Sequence, residues 1–120
     1  MRKIPTLLLL LGLTAQTALA DPPEITDVRV HKTGMVWSVH VELRHPDTGW
    51  DHYADGWEVL DASGNSLGHR KLMHPHVEEQ PFTRSLNGLV FPDGTREIFI
   101  RAKCSEHGWN TQTVRVELKP

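Results

Sequence analysis

From Ile25 onward, apolar and polar residues alternate with a period of two, and no helical period of 3.6 runs through the chain. The alternation is cleanest between Val36 and Arg44. There Trp37, Val39, Val41 and Leu43 interleave with Ser38, His40 and Glu42. Segments of this kind are punctuated by Gly, Pro, Asn and Asp. They predict seven strands, over residues 25–31, 36–44, 53–60, 66–72, 80–86, 96–104 and 111–118. Residues 61–65, Asp-Ala-Ser-Gly-Asn, read as a hairpin turn because several of them tolerate positive φ. The expected inward positions include Trp57 and Val59 on the third strand. On the sixth they are Ile98, Ile100, Ala102 and Cys104, and on the last Val114, Val116 and Leu118. Arg84 conflicts with this pattern, since it shares a face with Phe82 and Leu86. It snorkels at a sheet edge, meets a carboxylate, or marks a bulge.

The first twenty residues follow another rule. Arg2 and Lys3 precede an apolar run over residues 4–13, and Ala18-Leu19-Ala20 stands just before Asp21. This is the pattern of a cleavable export signal (residues 1–20, cut after Ala20), leaving a domain over residues 21–120. The run is shorter than the ~20 residues of a membrane-spanning helix. No transmembrane segment is therefore expected in the mature chain, and the location expected is periplasmic or secreted. With no cysteine at the cut, lipid attachment there is not expected. The whole chain carries a formal charge of −2, and losing Arg2 and Lys3 makes the mature part more acidic. No basic stripe remains, which argues against nucleic acid or an anionic membrane as partner. Cys104 is the sole cysteine, so an internal disulfide is excluded. It is buried as an apolar residue, serves as a ligand, or pairs with another chain.

Seven short strands at this spacing predict an all-β fold of two packed antiparallel sheets. The pattern resembles the immunoglobulin and fibronectin type III sandwiches. Trp57 stands on the third strand, where such folds place a core Trp. Cys104 stands on the sixth, where antibody domains carry a cysteine. The second strand has no cysteine to pair with it. The resemblance implies a seven-stranded antiparallel immunoglobulin-like sandwich and carries no function with it.

Strand direction alternates along such a chain. The connections after the second, fourth and sixth strands therefore share one end of the sandwich. They hold His45, His52, His74, His76 and His107, five of the eight histidines, together with Trp50 and Trp109. Loops on a rigid sandwich are where function concentrates. His74 and His76, two apart in an extended segment, point to one side. With His107 or His52 as a third ligand they suggest a transition-metal site, for copper or zinc. Cys104, Met73 and Glu78 are further candidate donors. A second reading uses Trp50, Trp109, His45 and Asp51 to bind an envelope protein or a glycan, with no metal and no catalysis. A third has these residues only satisfying loop backbone and lidding the core. An enzyme is not expected. The adjacent Glu78 and Glu79 point apart in a strand, Cys104 faces the core, and no serine elbow, phosphate loop or zinc-protease motif is present.

Overall fold

The computed structural model describes residues 22–119, and the expected export signal and cleavage point lie outside them. The strands are β1 (Glu24–Thr33), β2 (Val36–Arg44), β3 (Ala54–Leu60), β4 (Ser66–Lys71), β5 (Phe82–Leu89), β6 (Glu97–Cys104), β7 (Gly108–Trp109) and β8 (Val114–Glu117). One sheet has the order β1-β2-β5. The other runs β4-β3-β6, with β7 and β8 sharing the far edge of β6. Every pairing is antiparallel. Among the described residues no helix is long and apolar enough to cross a membrane.

Alternation places the core between the sheets. Val39, Val41 and Leu43 of β2 are fully buried and belong to one cluster with Trp57 and Val59 of β3 and Ile98, Ile100 and Ala102 of β6. The sheets approach closely at Gly68 on β4. A Cβ there would lie 2.7 Å from methyl carbons of both Leu86 and Leu89. On the outer face of the second sheet Glu58 lies opposite Arg101, and the guanidinium donates to its carboxylate at 2.6 and 2.8 Å.

Two departures from the expected strands have local causes. The last predicted strand, residues 111–118, is shortened to β8, and a separate two-residue strand, β7, forms in the connection before it. Gly108, at φ +79°, lets the chain reverse early, so pairing with β6 resumes at once. The side chain of Asn110 then accepts the N–H of Gln112 at 2.9 Å, a turn that interrupts the ladder until Val114. β5 is also displaced. Gln80 and Pro81 fall outside it, and Asn87-Gly88 does not end it. The register against β2 shifts there, with three residues of β5 spanning two of β2, and Gly88 sits at φ +68°. Asn87-Gly88 is thus a bulge within the strand.

Candidate metal centre

Three strand ends meet at one end of the sandwich. β2 stops at Arg44, β3 starts at Ala54 and β6 stops at Cys104. Residues 45–53 connect the first two, and the organising group is the Asp47 carboxylate. One of its oxygens accepts the Ala54 N–H at 2.9 Å and the His45 Nδ1–H at 2.5 Å. The other accepts the N–H of His76 at 2.8 Å. Asp47 and His45 are both buried. Gln80 adds a second tie, accepting the His45 N–H at 2.9 Å and donating to the His76 carbonyl at 2.8 Å. The loop then turns back on itself. Thr48 N–H reaches the His52 carbonyl at 2.9 Å, and His52 N–H the Gly49 carbonyl at 3.2 Å, with Gly49 at φ +149°.

Cys104 is brought to the same place by the β6–β7 turn. It lies opposite Ala54 on one side and Gly108 on the other, and it is fully buried. Ser105 locks the turn to the neighbouring loop. Its N–H donates to the Tyr53 carbonyl at 2.8 Å, and its hydroxyl accepts the Tyr53 N–H at 3.0 Å. The short turn carries Glu106 and His107.

Two donor groups result. His45, His52 and Cys104 each offer one ligand atom, and these atoms lie within 4.8 Å of one another. His52, Glu106 and His107 form a second group under the same limit. The rings of His45 and His52 meet edge to face at 4.7 Å, and those of His52 and His107 at 5.6 Å. Donors bound at 2.0–2.3 Å in a tetrahedral site are roughly 3.3–3.8 Å apart, so ion binding would draw these side chains together by about 1 Å or slightly more at most.

The electrostatics favour a cation. Because Asp47 takes the Nδ1 proton of His45, the Nε2 of that ring carries the lone pair. That Nε2 is buried without a hydrogen-bond partner, and so is the Nε2 of His52. A buried polar atom left unpaired costs about 1–3 kcal/mol. Two such nitrogens beside a buried thiol are the donor set a soft or borderline transition metal takes, so these residues fit one.

His74 and His76 are placed differently from the sequence expectation. Their rings lie 4.5 Å apart, yet neither belongs to a donor group among the described residues. His76 is pinned to Asp47 through its backbone, and its ring is stacked on Phe82 at 3.8 Å. Its Nε2 accepts a hydrogen bond from Arg84 at 2.8 Å. Burial pushes its pKa below the usual histidine value, helped by the positive charges of Arg84 and His74. A guanidinium on that nitrogen repels a metal ion. This also settles Arg84, which spans His76, the Thr83 carbonyl and the Glu79 carboxylate.

The remaining candidates separate. Trp50 and Asp51 are exposed, and Trp50 meets Tyr53 edge to face at 5.6 Å. Trp109 packs under Arg101 at 4.3 Å on the outer face of the second sheet and against His69 at 5.7 Å. The structure gathers His52 and His107, with His45 and Cys104 beside His52. The sequence reading missed Asp47 as the anchor. The visible signals were an Asp two residues after a histidine at a strand end, and Cys104-x-x-His107 across a tight turn.

No family model matches the chain. A Halomicrobium mukohataei protein described as "Putative lipoprotein" is 36% identical over 94 residues, covering 78% of this chain. The chain spans only 46% of that relative's length. Among solved structures, hypothetical protein PH1083 from Pyrococcus horikoshii OT3 is similar, with a TM-score of 0.55 and 15% identity. The match covers 82% of this chain and 90% of that one. A superoxide reductase in the oxidised state is similar at a TM-score of 0.52 and 14% identity, covering 83% and 91%. At these identities the likeness is one of fold.

Proposed function

We propose that this chain is an exported metal-binding domain, holding a transition-metal ion through His45, His52 and Cys104, with His107 as the fourth donor. The observation that carries it is the pair of buried, unpartnered Nε2 atoms of His45 and His52 beside the buried Cys104. Imidazole with thiolate selects zinc, copper or iron over magnesium and calcium. Export is supported by the leader-like N-terminus and by the lipoprotein description of the relative. The strand order, β1-β2-β5 over β4-β3-β6-β8, supports an immunoglobulin-like sandwich as the scaffold. The activity proposed is binding, with no catalytic step. A second reading gives the ion a redox role, favoured by the thiolate donor and by a fold shared with a protein named superoxide reductase.

The test is titration of the purified, reduced protein with Zn(II), Cu(I), Fe(II) and Co(II). One ion per chain should bind, and Co(II) should show a thiolate-to-cobalt charge-transfer band. Cys104→Ser should abolish the band, and His45→Ala should weaken binding, whereas His74→Ala should leave it intact. Absence of binding tighter than about 1 μM for every ion would overturn the reading. Reversible oxidation and reduction of the bound ion would favour the redox alternative, and a centre that retains only zinc would exclude it.

A further inference from the structure

We infer that the ion reaches the buried centre through an outer position formed by His52, Glu106 and His107, with His52 serving both positions. This deepens the metal-binding reading and rests on it.

The three deepest donors are cut off from solvent. The side chains of His45 and Cys104 are fully buried, and the His52 Nε2 is inaccessible. Behind Cys104 lies the inward row of Ala102, Ile100 and Ile98, which offers an ion no donor. Behind His45 lies the Asp47 carboxylate, already committed to three N–H groups. Among the described residues, the accessible donors grouped with His52 are Glu106 and His107. The side chains of Glu106 and His107 are 56% and 39% exposed, and both reach within 4.8 Å of a ring nitrogen of His52. The rings of His45, His52 and His107 therefore form a row, edge to face at each step, from the core to the surface.

The chemistry of the two positions is graded in the same direction. A hydrated divalent cation in solution meets first a carboxylate, a hard donor that displaces one water while the others stay. His107 and His52 then replace further waters. In the inner position His45 and the Cys104 sulfur take over from Glu106. The metal–sulfur bond forms on the thiolate lone pair, and the thiol proton passes to the buffer. One proton is released per ion bound, and no oxidant or reductant is needed. Glu106 and His107 are one residue apart in a turn set by Gly108, so the outer position forms wherever Cys104 ends its strand.

A kinetic role for Glu106 has a distinct signature. Lowering the barrier to passage changes binding and release together and leaves the equilibrium alone. Loss of a final ligand instead speeds release and weakens affinity. The experiment is stopped-flow Co(II) binding to the full protein, followed by the charge-transfer band, with release measured by competition with a chelator. Glu106→Gln should slow both association and release by about tenfold, while Kd stays within about twofold of wild type. Asp93→Asn, at an exposed acid outside both groups, controls for general attraction and should leave both rates unchanged. An association rate for Glu106→Gln equal to that of wild type would overturn the inference and leave the centre standing. Faster release with weaker Kd would also overturn it, by making Glu106 a final ligand. No charge-transfer band in the wild-type protein would sink the centre itself and the outer position with it.

Discussion

Removing the Asp47 carboxylate tests whether it holds the centre together. Its oxygens accept three buried hydrogen bonds, from His45 Nδ1–H, Ala54 N–H and His76 N–H. Asp47→Ala leaves all three donors without a partner, each at about 1–3 kcal/mol. The three share one group and do not add fully, so the expected loss is roughly 3–5 kcal/mol. Against a total of about 5–15 kcal/mol for a domain, that is a large fraction. The melting temperature should fall by on the order of 15–30 °C. Asp47→Asn is the more discriminating change. It keeps the shape and one acceptor oxygen but turns an NH₂ toward one of the donors, costing about 1–3 kcal/mol. It also weakens the hold on the His45 tautomer, so the Nε2 lone pair is no longer fixed toward Cys104. Metal affinity should drop by about 10–100-fold. The assays are thermal melting of the metal-free protein and a competition titration with a chromogenic zinc chelator. An Asp47→Asn protein with wild-type melting and wild-type zinc affinity would refute the argument. It would mean that His45 is oriented by packing alone.

Two further expectations concern the rest of the fold. The pKa of His76 is lowered in the folded state, mainly by burial, and its Nε2 must stay unprotonated to accept from Arg84. As pH falls below the ordinary value of 6.5, the unfolded chain takes up this proton before the folded one does, so stability falls with pH. Thermal melts between pH 7 and pH 5 should show a steeper decline for wild type than for His76→Gln, and equal slopes would contradict the partly buried Arg84 contact. At Gly68, where a Cβ would press on Leu86 and Leu89, Val should cost about 1–3 kcal/mol. Urea unfolding should then show a lower midpoint with an unchanged slope, and a wild-type midpoint would mean that the sheets do not approach there.

Much of this architecture was readable from period-two alternation because one face of every core strand is buried. The predicted second strand has the bounds of β2, Val36–Arg44. The short β7 and the late start of β8 were not readable, since they depend on Gly108 at positive φ and on an Asn110 side chain that competes with the ladder. Strand parity placed three connections at one end, and His45, His52 and His107 do stand side by side there. Choosing among the histidines needed the third dimension. The spacing of His74 and His76 puts their rings together, but it carries no information about Arg84, eight residues beyond His76, which takes the nitrogen a metal would need. Cys104 shows a different gap between parity and chemistry. Its inward position was predicted correctly, and inward was taken as an argument against a reactive thiol while a ligand role stayed open. A buried thiol is inert only when its neighbours are apolar. Cys104 is the last residue of β6, so one side of it faces Ala102 and the core while the other faces the histidines of the loops. Parity reports which face a residue takes, whereas its position along the strand decides what that face meets. At a strand end, burial and reactivity are compatible, and Cys104 with His45 and His52 is where they coincide.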